Sequence, residues 1–227
     1  MIKFNILTLF PEVFPGILQH GLLGKALSKN HFEINTINIR DYSNLSANSV
    51  DDKPFSGGAG MVLRPDIISK SIEANFNKDE LDSCNKICFS AKGKKLTQNN
   101  LTNYNLNQNF ILLNGRYEGI DQRVRELFVD QEISIGDYVL MGGELPALVI
   151  CESIIRLLPG SMNNSSCALS DSFQDNLLAP PIYTRPANFK GHTVPEILLS
   201  GNEQKISQWR ENQSIIKTKD RRPDLLK

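Results

Sequence analysis

Apolar residues recur along this chain in two alternating rhythms. Phe32-Glu33-Ile34-Asn35-Thr36-Ile37-Asn38-Ile39 alternates apolar with polar, the period of a half-buried strand. Met1 to Leu9, Lys86 to Ser90 and Asn109 to Leu113 are further apolar runs of strand length. Between them the rhythm lengthens. Ile67, Ile68, Ile72 and Phe76 fall at helical spacing within Arg64 to Phe76, and Leu96–Asn105, Glu118–Phe128 and Glu144–Leu158 read as helices too. Phe10-Pro11 opens another, with proline in its first turn and Glu12 beside it. Strands alternating with helices predict an α/β domain with a mostly parallel sheet and helices on both faces.

Two stretches break the pattern. Arg40 to Gly60 is long, polar and glycine-bearing, and predicts a shaped loop near a ligand or partner chain. After Pro159-Gly160 the run Ser161-Met162-Asn163-Asn164-Ser165-Ser166 is small and polar, as linkers are. Beyond it, apolar spacing at Ile197, Leu198, Ile206 and Trp209 accompanies Lys205, Arg210, Lys217, Lys219, Arg221, Arg222 and Lys227. The expected organisation is an α/β domain over 1–160, a linker over 161–176 and a small helical domain over 177–227.

Composition narrows this only modestly. The chain has 227 residues, 40% apolar and 22% charged, with 25 cations balancing 25 acids. A neutral whole excludes a uniformly basic nucleic-acid binder but not a local basic patch. Cys84, Cys88, Cys151 and Cys167 show no paired CxxC spacing, which predicts buried free thiols in a reducing compartment. No apolar run approaches the ~20 residues needed to span a bilayer, and no signal-peptide pattern opens the chain, so a soluble, cytoplasmic protein is expected.

Two glycine-bounded segments carry the candidate chemistry. Asn114-Gly115-Arg116-Tyr117-Glu118-Gly119-Ile120-Asp121 follows the apolar run Phe110–Leu113. Ser134-Ile135-Gly136-Asp137-Tyr138-Val139-Leu140-Met141-Gly142-Gly143-Glu144-Leu145-Pro146 carries a second apolar run into a Gly-Gly turn and then a helix. A lone Gly-Gly is most simply a tight turn; two strand-to-glycine-loop junctions together favour a ligand pocket lined by backbone. No GxGxxG follows a strand, no GxxxxGK[ST] occurs, and His20, His31 and His192 have no metal-site spacing.

At these residues the chain closely resembles the bacterial tRNA (guanine-N1)-methyltransferases, members of the trefoil-knot (SPOUT) superfamily. The resemblance also runs through Leu9-Phe10-Pro11-Glu12, Val50-Asp51-Asp52-Lys53-Pro54-Phe55, Gly58-Ala59-Gly60-Met61, Asp171-Ser172-Phe173, Tyr183-Thr184-Arg185-Pro186, Leu199-Ser200-Gly201-Asn202 and Arg221-Arg222-Pro223. It implies a deep C-terminal knot in the α/β domain and S-adenosylmethionine-dependent methylation of guanine N1 at tRNA position 37, next to the anticodon, which supports the reading frame. It further implies a homodimer whose subunits share each active site. The knot is not readable from periodicity, since true knots are rare.

Carried over by motif, the cofactor contacts are Phe89, Ser90, Gly115, Tyr117, Glu118, Ile135, Gly136, Tyr138, Leu140, Gly142, Gly143 and Pro146. Asp171 falls where the family's general base lies; taken alone, it reads as the N-cap of a following helix. Arg156 falls at the family's catalytic arginine; taken alone, it reads as a structural ion pair with Glu152 on an apolar helix face. Glu118 is the candidate ligand for a magnesium ion near the cofactor carboxylate. Asp51, Gly60 and Arg185 are candidate substrate contacts, with Asp51 and Asp52 either receiving guanine's donors or holding their loop. The substrate implied is a tRNA with guanosine 3′ of the anticodon, its base splayed out of the stack. A ribose 2′-OH methyltransferase and a non-catalytic tRNA binder are the rival readings.

Three departures from the family pattern stand out. Met141 replaces the hydroxyl residue usual before this Gly-Gly, Ala91-Lys92 replaces the usual Pro-Gln after Ser90, and the chain ends soon after Leu226.

Overall fold

The structure, a computed structural model, describes residues 1–55, 57–161 and 171–226. It divides into two compact units, Met1–Asn163 and Asn164–Lys227. The first opens with β1 (Ile2–Thr8), α1 (Val13–Leu18), α2 (Gly21–Ser28) and β2 (Phe32–Asn38). A two-stranded antiparallel pair follows, β3 (Asp51–Asp52) with β4 (Val62–Leu63), and then α3 (Pro65–Asn75) and α4 (Lys78–Ser83). The rest of the unit is β5 (Asn85–Lys95), α5 (Gln98–Thr102), β6 (Phe110–Leu113), α6 (Gln122–Phe128), β7 (Gln131–Ser134) and α7 (Glu144–Leu157).

Five strands form one parallel sheet in the order β2-β1-β6-β5-β7. Alternate residues feed two cores, because successive side chains on a strand point to opposite faces. Phe4, Ile6, Phe110 and Leu112 pack with Phe14 and Leu18 of α1 and with Ala147, Ile150 and Ile154 of α7. Leu7, Ile111 and Leu113 pack with Ile67, Ile68 and Ile72 of α3 and Val124 of α6. All four residues of β6 are buried, as expected of a central parallel strand covered on both sides.

Local rules explain the helix starts. Pro65 occupies the first turn of α3, where its missing N–H costs nothing. Asn77 and Glu80 make a reciprocal capping box at α4, and Asp121 accepts from Arg123 N at the start of α6. The Arg123 side chain also hydrogen-bonds Asp121, which holds that carboxyl below the usual range.

Several elements differ from expectation. The helix read over Leu96–Asn105 shrinks to the five residues of α5, since Asn103 and Asn105 favour turns. The strand read over Lys86–Ser90 extends to Lys95 through an irregular register with β7, between Phe89 and Lys94. The apolar run before Gly142 is not a strand: β7 ends at Ser134, and Val139 and Met141 are 87% and 88% exposed. The stretch 40–60, read as a shaped loop, holds two 3₁₀ turns and β3.

The second unit holds a 3₁₀ turn at Gln174–Asn176, the hairpin β8 (Asn188–Phe189) with β9 (His192–Thr193), α8 (Glu196–Leu199) and the 19-residue α9 (Glu203–Arg221). Asn202 caps α9 by accepting from Lys205 N. The buried Thr218 hydroxyl donates to Ser214 O (2.7 Å) and accepts from Leu178 N (2.9 Å), tying the preceding loop to the helix. Of the stretch read as linker, 162–170 lies outside the described residues.

Among the described residues no helix is long and apolar enough to cross a membrane. Cys84, Cys88 and Cys151 are free and buried; Cys167 lies outside the described residues. Burial raises all three thiol pKa values, that of Cys88 to about 11. The thiolate is the reactive form, so these three cysteines should resist alkylation by iodoacetamide at pH 8 and react only on unfolding. Mass-spectrometric mapping of labelled native protein checks this; rapid labelling of Cys151 would contradict it.

Candidate functional site

The loops at the carboxyl ends of β6 and β7 meet the irregular middle of β5, Phe89 to Lys92, around a pocket of about 320 Å³. Ligands of open parallel sheets lodge at this end of the strands. The loop after β6 turns tightly: Gly119 N donates to Arg116 O (2.9 Å), Gly119 takes φ +116°, and Tyr117 sits in the left-handed region at φ +59°. A bulky residue held there costs on the order of 1–3 kcal/mol, and such outliers cluster at functional sites. Its neighbour Glu118 is fixed through the backbone, donating its N–H to Met61 O (2.9 Å).

The loop after β7 folds back on itself. Ser134 Oγ donates to Gly136 O (3.0 Å), while Gly136 N approaches Ser134 Oγ at 3.2 Å. The Tyr138 ring packs where a Cβ on Gly136 (φ +155°) would lie, 2.4 Å from Tyr138 Cε1, so a side chain there would have to displace the ring. At the far end of the loop Gly143 N donates to Gly115 O (2.9 Å), and Arg116 pairs with Gly142 in an isolated antiparallel bridge. The two glycine loops are thus joined to each other by backbone. Gly143 then caps α7, whose N-terminus carries the positive end of the helix dipole.

All twelve residues read as cofactor contacts line this pocket: Phe89, Ser90, Gly115, Tyr117, Glu118, Ile135, Gly136, Tyr138, Leu140, Gly142, Gly143 and Pro146. The departing residues Ala91, Lys92 and Met141 line it as well. Sequence reasoning missed Arg116 and Arg125. Arg125 forms an ion pair with Glu132, and the pattern that could have flagged it is two cations, Arg123 and Arg125, on a short helix beside the glycine loop.

The remaining candidates lie elsewhere. Gly60 (φ +96°) abuts Glu118: a Cβ there would fall 2.7 Å from Glu118 Oε1, so the loop 57–61 walls the glutamate. Asp52 is held by Arg64 Nη1 at 3.3 Å, which gives it a loop-holding part, whereas Asp51 receives only a 3.5 Å approach from Ser49 Oγ. Arg156 does not sit on the apolar face of α7. It shares an exposed stripe with Leu145, Val149 and Glu152, because those positions recur every three or four residues on the outward side. In the second unit Asp171 is half-buried and precedes a 3₁₀ turn, so it is not the N-cap of a following α-helix. Arg185 lines a separate cavity of about 590 Å³ with Tyr183, Leu198 and Arg210.

The larger cavity is walled mainly by prolines and aliphatic side chains, whereas the 320 Å³ pocket offers glycine backbone, aromatic rings and one carboxylate, Glu118. An adenine-bearing cofactor read by main-chain hydrogen bonds suits the second set. Among the described residues no group of three His, Cys, Asp or Glu side chains could hold a metal.

A family model described as tRNA (Guanine-1)-methyltransferase TrmD matches residues 2–227. Curated relatives called tRNA (guanine-N(1)-)-methyltransferase include that of Christiangramia forsetii, 48% identical over 99% of this chain and 98% of the relative. That of Clostridioides difficile is 47% identical over 99% and 97%, and that of Staphylococcus epidermidis 46% over 99% and 90%.

Proposed function

The chain belongs to the tRNA (guanine-1)-methyltransferase family, and from that premise we propose that it methylates N1 of guanine at position 37 of tRNA. The observation that carries the reading is the meeting of both glycine loops in one backbone-lined pocket, with every motif-matched cofactor residue on its wall. S-adenosylmethionine, bound in that pocket, supplies an electrophilic methyl group on a sulfonium.

Guanine N1 carries a proton and is a poor nucleophile until that proton leaves. Asp171 is the proposed base that accepts it, and Arg156 the proposed cation that meets negative charge developing on O6. With the proton held on Asp171, the N1 electron pair would be free to take a methyl group from the bound cofactor, which would leave as S-adenosylhomocysteine. Glu118, the one carboxylate on the pocket wall, would hold a magnesium ion near the cofactor carboxylate, where the ion would supply positive charge. Asp51, Gly60 and Arg185 complete the proposed substrate contacts, and the fold is proposed to carry the family's knot.

The proposed assembly is a cytoplasmic homodimer that shares its active sites. Support comes from α7, which leaves Leu145 and Val149 exposed, and from α1, which packs against it and leaves Val13 and Ile17 exposed. Side chains of that kind usually find a partner surface. Arg156 lies on the same stripe, where a second chain could meet it.

Transfer of labelled methyl groups to tRNA transcripts carrying guanosine or adenosine at position 37 tests the reading. N1-methylguanosine on the guanosine transcript alone, identified by mass spectrometry, is the expected result. Label on ribose, or on both transcripts equally, would refute it.

A further inference from the structure

Behind the pocket lies a polar cluster that the proposed chemistry does not use. Glu144, in the first turn of α7, is 3% exposed, and its Oε2 lies 3.0 Å from Arg116 Nε. Its other oxygen, Oε1, accepts from the Thr8 hydroxyl at 3.0 Å, and that hydroxyl accepts in turn from Phe10 N at 3.0 Å. The Arg116 guanidinium lies over the Phe10 ring, 4.5 Å from its centroid. One carboxylate therefore gathers three segments: the end of β1, the loop after β6 and the start of α7. Beside it Asn114 is fully buried, with neither amide atom hydrogen-bonded among the described residues.

Burying a carboxylate is unfavourable unless partners compensate, and apolar packing would stabilise a core as well. What a buried pair adds is a fixed geometry. Here it spans the two glycine loops: a Cβ on Gly142 would fall 2.4 Å from Arg116 Nε and 2.5 Å from Glu144 Oε2, so the pair occupies the space beneath the Gly-Gly turn. We propose that Glu144 is a positioning residue, which through Arg116 sets the separation of the two loops and hence the affinity for the cofactor. This rests on the pocket being the S-adenosylmethionine site.

Glu144→Gln keeps the shape and removes the charge. Calorimetry with S-adenosylmethionine should show Kd raised by about tenfold, the scale of one broken close charge pair, with KM for the cofactor raised in step. The rate at saturating cofactor should stay within about twofold, because uniform binding is what is lost. A merely structural role would lower the melting temperature and the active fraction and leave KM alone; that outcome overturns the proposal. Thr8→Val, which removes the hydroxyl's contacts with Glu144 and Phe10 N but keeps the Glu144 charge, should raise KM by a smaller factor and serves if Glu144→Gln does not fold. Wild-type protein that fails to bind S-adenosylmethionine removes the premise. Wild type that binds it no better than Glu144→Gln removes the proposal alone.

Discussion

Asp171→Asn should lower the single-turnover rate of guanine 37 methylation by about 10²–10⁴, the usual consequence of losing a general base. The amide has the same shape but cannot accept the N1 proton. Asp171 belongs to the second unit, whereas every residue lining the proposed cofactor pocket belongs to the first, so the Kd for S-adenosylmethionine should match wild type. Losing the N1 proton leaves negative charge on guanine O6, so a cation placed there lowers the barrier to the same step. Arg156→Gln should therefore slow the same step without changing cofactor Kd. Quench-flow with limiting tRNA and saturating enzyme separates this step from product release. A rate for Asp171→Asn within about threefold of wild type would take Asp171 out of the proton transfer, since general-base contributions are far larger than that.

The sheet was readable wherever burial imposes a period. β1, β2 and β6 fall where apolar runs or alternation place them, because each is pinned to a core on at least one face. The cofactor loops were readable from their glycines. At Gly142 a Cβ would lie 2.4 Å from Arg116 Nε, and at Gly143 2.9 Å from Asn114 Cα. The rest depends on partners distant in sequence. Val139 and Met141 look like strand residues, yet nothing in the first unit covers them, and an apolar run does not say which surface it meets. Arg156 reads as buried because Ile154, Ile155 and Leu157 surround it in sequence, while the 100° step of the helix carries it outward. The pairing of Arg116 with Glu144 joins residues 28 apart and becomes visible only once the two loops meet.

Gly143→Ala should raise the Kd for S-adenosylmethionine by roughly 10- to 100-fold, from the overpacking cost of about 1–3 kcal/mol. The backbone of Gly143 (φ −84°, ψ −5°) is open to any residue, so no conformational strain enters. What forbids the methyl group is contact: the new Cβ would lie 2.9 Å from Asn114 Cα and 3.2 Å from its Cβ and Oδ1. Asn114 cannot retreat, because it is fully buried and its N–H is bound to Leu7 O at 3.0 Å. The Gly-Gly turn must move instead, stretching the Gly143 N to Gly115 O bond and the Arg116–Gly142 bridge that together join the pocket's two walls. Gly16→Ala provides the contrast. A Cβ there meets nothing within 4 Å, and the position lies in α1, so alanine should stabilise the fold by roughly 0.5–1 kcal/mol. Its cofactor Kd should stay at the wild-type value. Calorimetric Kd values for the pair decide the matter: equal affinities would mean that the turn tolerates displacement and that close backbone approach at Gly143 is not what holds the cofactor.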